Sequence, residues 1–134
     1  MKVNRSTNRI IHAISTGFTT GYTFRTAGAL ARKSGATESA VLSVAKDLGC
    51  DVNKKRRRDR ACLVGKPSKF DLNILAAVSA SLLDERYSLR STKAVQEALS
   101  RSSLGSILDH AASVGYDTSR TRRSDHVRMI GLSA

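Results

Sequence analysis

Apolar positions recur along this chain at helical spacing, and the same order of spacings occurs twice. Ile10, Ile11 and Ile14 form one stripe and predict a helix over Thr7 to Thr16. Tyr22-Thr23-Phe24 alternates aromatic residues with a hydroxyl, as a short strand does. Thr26 is a suitable N-cap for a second helix that turns Ala27, Leu30 and Ala31 inward and breaks at Ser34-Gly35. Thr37 caps a third helix. Glu38 follows in its first turn, Val41, Val44, Ala45 and Leu48 form its apolar line, and Gly49 stops it. A hairpin is expected next, with Cys50-Asp51-Val52 leading out and Ala61-Cys62-Leu63-Val64 returning. A turn centred on Arg56 would set Cys50 opposite Cys62.

The second half repeats the order. Leu72, Leu75, Val78 and Leu82 predict a helix over Phe70 to Asp84, and Tyr87-Ser88-Leu89 predicts a strand. Ser91 caps a helix with Ala94, Val95 and Ala98 inward. Ser103 caps another, which runs through Ile107, Leu108, Ala111 and Val114 to Gly115. Identities and spacing make this an internal repeat. Gly21-Tyr22-Thr23-Phe24-Arg25-Thr26 matches Arg86-Tyr87-Ser88-Leu89-Arg90-Ser91 at an offset of 65. Gly49-Cys50-Asp51 matches Gly115-Tyr116-Asp117, and Arg56-Arg57-Arg58-Asp59 matches Arg122-Arg123-Ser124-Asp125, both at 66. Leu63-Val64-Gly65 matches Met129-Ile130-Gly131, and the same alignment would place Tyr116 opposite Arg128. The single proline, Pro67, lies at the joint, where it suits a linker. The expected units are residues 1–66 and 67–134. Each is close to the lower size limit for independent stability, so the two are expected to pack together.

Charge narrows the function. The 134 residues carry 23 Lys and Arg against 11 Asp and Glu, a formal net charge of +12. That excess on a short chain points to a polyanionic partner. No run of 18 apolar residues exists, so no membrane-spanning helix is expected. Residues 1–37 have no acidic side chain, a composition shared with organelle-import leaders. The recurrence of much of that stretch as apparent core in the second half favours a folded domain. Cys50 and Cys62 lack the spacing of a zinc site or a disulfide framework, which fits a reducing cytoplasm. No cofactor is expected.

Two helices joined by a tight turn and followed by a basic-tipped hairpin resemble the winged helix-turn-helix family. The resemblance is carried by Thr26–Ser34, Thr37–Leu48 and Gly49–Gly65, and again by Ser91–Ser100, Ser103–Val114 and Gly115–Gly131. It implies a mainly α chain with small β-hairpins, an α+β fold in two tandem copies. It also implies a third helix lying in the DNA major groove and a wing reaching the backbone or minor groove. A helix of that size fits the major groove, where base edges carry a readable donor and acceptor pattern. The face away from the apolar line offers Thr37, Ser39, Ser43 and Lys46 in unit one. In unit two it offers Ser102, Ser103, Ser106 and His110.

The densest charge is Lys54-Lys55-Arg56-Arg57-Arg58-Asp59-Arg60, expected at the first hairpin tip. Charge runs are usually a solvated face, but a hairpin would hold this one in place for phosphate contact. The second wing keeps Arg120, Arg122, Arg123 and Arg128. Residues 1–66 hold 14 basic and 4 acidic side chains (net +10), and residues 67–134 hold 9 and 7 (net +2). Unit one is therefore expected to supply most of the binding energy. Few aromatics argue against stacking on single strands.

No catalytic constellation is visible. Gly65-Lys66-Pro67-Ser68 lacks the upstream glycine and the hydroxyl of a phosphate loop. His12, His110 and His126 have no partner at useful spacing, and His110, aligned with Val44, suits the edge of the core. Asp51, Asp117, Asp59 and Asp125 fit turn chemistry and pairing with nearby Arg. The expectation is a non-enzymatic, cytoplasmic double-stranded DNA-binding protein, monomeric or homodimeric. The role expected is a small transcription regulator or a phage or mobile-element accessory factor. The alternatives are a protein-protein adaptor that grips an acidic host protein or polymerase subunit, with a host protein expected through unit two, and a binder of structured RNA.

Overall fold

A computed structural model of the chain describes residues 1–18 and 21–133. Among the described residues there are six helices and two small antiparallel sheets, a mixed α+β architecture. The order is α1 (Arg5–Gly17), β1 (Phe24–Thr26), α2 (Ala27–Ser34), α3 (Glu38–Asp47) and β2 (Leu63–Gly65), followed by α4 (Leu72–Ser81), β3 (Leu89–Ser91), α5 (Thr92–Glu97), α6 (Leu104–Val114) and β4 (Met129–Gly131). No helix of the described residues is long and apolar enough to cross a membrane.

The helices begin where short polar side chains satisfy their first amides. Thr26 accepts from the amide of Ala29 and Thr37 from that of Ala40; Ser91 and Ser103 do the same for Ala94 and Ser106. At the far end of α2, Gly35 adopts φ +71°, a left-handed cap that turns the chain sharply into α3.

Five expected boundaries shift. α1 begins at Arg5, two residues before the expected Thr7, because Asn4 caps it through the amide of Thr7. α4 is shorter than Phe70–Asp84, since Asp71 caps it and the helix stops at Ser81. The short strands lie at Phe24–Thr26 and Leu89–Ser91, two residues beyond the alternating Tyr22–Phe24 and Tyr87–Leu89. α5 ends at Glu97, so Ala98 is exposed and Ala94 only half-buried, leaving Val95 as its apolar anchor.

The wings are the fifth departure. Each returning arm pairs with the strand that precedes the second helix: Phe24↔Gly65, Arg25↔Val64 and Thr26↔Leu63 in one half, and Leu89↔Gly131, Arg90↔Ile130 and Ser91↔Met129 in the other. The outgoing arm touches the returning one at isolated bridges, Lys55↔Cys62 in the first wing and Asp117↔Gly131 and Thr121↔Arg128 in the second. Cys50 therefore does not face Cys62, and Tyr116 does not face Arg128. The turn centres beyond Arg56, on the Arg57–Asp59 stretch, which moves the register by several residues. Both cysteines are free, and burial pushes the Cys50 thiol up to about 12, which leaves it unreactive at neutral pH.

Buried apolar side chains from both halves form one cluster. Its centre is the packing of α1 on α4. Ile10, Ile11, Ile14, Ser15 and Phe18 are buried, and so are Ile74, Leu75, Val78, Ser79 and Leu82, each 64 positions further on. The two helices run antiparallel. Arg5 donates to the carbonyls of Leu82 (3.2 Å) and Asp84 (3.3 Å), whereas Asn8 and His12 reach back to Ser79. The N-terminal segment is drawn into the second half as well, since Val3 is fully buried and its carbonyl accepts from the amide of Ser133 at 2.8 Å.

One polar thread crosses this core. The Tyr116 hydroxyl donates to Asn8 Oδ1 at 2.6 Å, and Asn8 Nδ2 donates to the Ser79 carbonyl at 3.1 Å. Changing Tyr116 to Phe leaves Asn8 Oδ1 buried with one fewer donor, at an expected cost of about 1–3 kcal/mol. Urea unfolding of Y116F checks this. A cost under about 0.3 kcal/mol would show that the thread contributes nothing.

Candidate nucleic-acid interface

The first wing tip is a built turn. Arg56 Nε donates to Asp59 Oδ1 at 3.0 Å and Arg56 Nη2 to Asp59 Oδ2 at 2.5 Å, a bidentate clasp across four residues. The amide of Arg56 donates to the Ala61 carbonyl, the amide of Arg60 to the Arg56 carbonyl, and the amide of Ala61 to Asp59 Oδ1. Arg60 takes φ +57°, a left-handed conformation that the surrounding bonds impose on a side chain that disfavours it.

The second wing repeats each of these features 66 residues later. Arg122 clasps Asp125 at 3.0 and 2.6 Å, the Arg122 amide donates to the Val127 carbonyl, and His126 takes φ +59°. At the base of each wing an aspartate folds its own turn: Asp51 Oδ1 accepts from the Asn53 amide at 3.0 Å, and Asp117 Oδ1 from the Ser119 amide at 2.9 Å. The recurring aspartates are thus turn and ion-pair residues, as their positions suggested.

The clasps make a pH prediction. Hydrogen bonds from Arg122 hold the Asp125 carboxyl down at about 2, and those from Arg56 hold Asp59 lower still. A carboxyl depressed in the fold contributes its full stabilisation above its unfolded value near 4 and loses it as pH falls through its folded value. Both turns should therefore stay closed at pH 4. The second is expected to open near pH 2. Amide exchange of Arg56 and Arg122 across that range measures it, and opening of both turns by pH 4 would contradict the clasp.

The expected contact residues fall into two groups. Lys54, Lys55, Arg57, Arg58 and Arg60 are exposed around the clasped tip, with Lys54 Nζ resting 5.1 Å above the Phe24 ring. Arg56, expected among the phosphate contacts, has its guanidinium held by Asp59 and shapes the turn. In the second wing Arg122 is tied in the same way, Arg128 donates to the Thr118 carbonyl, and Arg120 Nε lies 3.9 Å from Asp117. Arg123 is exposed, with none of these tethers. Three of the second wing's four exposed arginines are thus engaged by oxygens of that wing.

On α3, Ser39, Ser43 and Lys46 are exposed, and the Thr37 hydroxyl accepts from its helix's first turn. On α6, Ser103 serves as the cap, Ser106 is half-buried, and His110 Nδ1 lies 2.8 Å from the Ser106 carbonyl. The His110 ring packs edge-on against Phe70 at 6.2 Å, at the margin of the core, so it belongs to packing.

Sequence reasoning missed Arg5, Asn8 and Tyr116, which join the halves. Their signal lies in three dimensions: an asparagine on the stripe of a short helix gains meaning only once its distant partner is known. It also missed the repeated stacking of a guanidinium on an exposed tyrosine. Arg25 lies 4.6 Å from the Tyr22 ring centre, and Arg90 lies 4.3 Å from that of Tyr87. The matched Tyr and Arg at the 65-residue offset could have shown it. Among the described residues no cluster of His, Cys, Asp and Glu is placed to hold a metal ion. No family model, curated protein or solved structure matches the chain.

Proposed function

We propose that the chain binds double-stranded DNA through two tandem winged helix-turn-helix units, in a transcription-regulating or mobile-element accessory role. Unit one is the principal contact: α3 lies in the major groove and the first wing grips phosphates. The observation that carries this reading is the clasped tip. Five exposed cations are mounted on a turn whose sixth cation and only carboxylate hold each other, so the array is ordered before it meets a partner. Preordering lowers the entropic cost of gripping a polyanion. Binding through five phosphates releases their condensed counterions, so the logarithm of affinity should fall with the logarithm of salt at a slope of about −4.5.

Fluorescence anisotropy with labelled duplex DNA, duplex RNA and single strands, at two salt concentrations, tests this. Duplex DNA is expected to bind tightest, with that slope. Tighter binding to duplex RNA would redirect the reading to shape-driven RNA recognition. No binding to any nucleic acid at low salt would leave an acidic protein as the polyanion.

A further inference from the structure

The two halves meet through equivalent surfaces. α1 packs antiparallel on α4, its counterpart in the repeat, and His12 lines one cleft together with Ala76, the residue 64 positions further on. A residue that meets its own counterpart marks a two-fold axis, the signature of an isologous contact. Here that contact is internal to one chain. The hydrogen bonds of Arg5, Asn8, His12 and Tyr116 across it, on a shared core, hold the halves as one body. Such an axis carries the backbone of unit one onto unit two, so α3 and its clasped wing have matching copies in α6 and the second wing.

Resting on the reading above, we infer that one copy of this chain occupies two inverted half-sites of a single duplex, as a covalently joined pseudo-dimer with one strong and one weak half. A two-fold protein reads a site of matching symmetry, with half-site centres about one helical turn, 10–10.5 base pairs, apart. The asymmetry follows from the wings, since the first exposes five cations around its clasped tip and the second exposes four, three of them engaged by its own oxygens. Rigid linkage raises the effective concentration of the weak half, so it adds affinity only when the duplex is long enough to reach it.

The test uses the full chain and random duplexes of about 12 and about 24 base pairs, lengths chosen to hold one and two half-sites. The expected result is an affinity at least about tenfold higher for the longer duplex. That step should vanish in R120S/R123S, whose fold is checked by circular dichroism, and a 1:1 complex is expected by sedimentation. An unchanged affinity between lengths, or capture of two duplexes by one chain, would overturn the pseudo-dimer while leaving duplex binding by unit one intact. Failure to bind either length at low salt would overturn both.

Discussion

Changing Lys54, Lys55, Arg57 and Arg58 together to Ser is expected to weaken duplex binding about a thousandfold at 0.1 M salt. Each phosphate contact contributes about 0.9 of a decade to the salt dependence, and at 0.1 M that is about 0.9 of a decade of affinity. Four lost contacts remove about three and a half decades, and neighbouring cations that rearrange recover a part. The salt slope should fall with it, from about −4.5 to about −1. Arg56 and Asp59 are left in place so that the clasp persists and the loss reports charge rather than an unfolded turn. Retention of Arg56 amide protection establishes that. Affinity within twofold of the unaltered chain would remove the finger from the interface.

Leu75→Ala is expected to cost about 2–5 kcal/mol and to lower one shared unfolding transition. Leu75 is fully buried on α4, which packs against both α1 and α6. A small domain has only about 5–15 kcal/mol in all, so this is a large fraction of the total. Because apolar side chains of both halves form one cluster, the damage cannot be confined to the second half. Thermal unfolding read by circular dichroism and by the near-ultraviolet signal of Tyr22, Tyr87 and Tyr116 should give coincident, lowered transitions. Two separate transitions, with the first half unmoved, would show that the halves fold on their own.

Much of this architecture is legible in the sequence because it is local. Caps at Thr26, Thr37, Ser91 and Ser103 act within three residues, and an apolar line such as Val41, Val44, Ala45 and Leu48 records one helical face. The repeat itself adds a second copy of every signal. What the sequence hides is register and long-range pairing. The hairpin turn could not be centred from charge alone, because six cations in seven positions give no period to follow. The Arg56–Asp59 clasp, once known, places the turn and pairs Lys55 with Cys62. The candidate site follows the same division. Lys54 and Arg57 are read as exposed from sequence and are exposed, whereas the tethers of Arg56, Arg122 and Arg128 depend on geometry a few residues away.

The asymmetry between the wings is the clearest case of sequence and structure informing each other. Counting charges over Gly49–Gly65 and Gly115–Gly131 gives +4 against +2. The structure adds that the second wing holds Arg120, Arg122 and Arg128 against its own oxygens. A less cationic second finger on an equivalent scaffold is what a weak half-site contact requires.

The most direct measurement is an amide spectrum of the labelled chain titrated with duplex DNA at low salt. Strong shifts at Lys54–Arg60 and on the exposed side of α3, smaller ones around Arg123, and none in the α1–α4 interior are the predicted result. Shifts elsewhere on the surface with the first wing unmoved, or an unchanged spectrum at saturating duplex, would contradict the account.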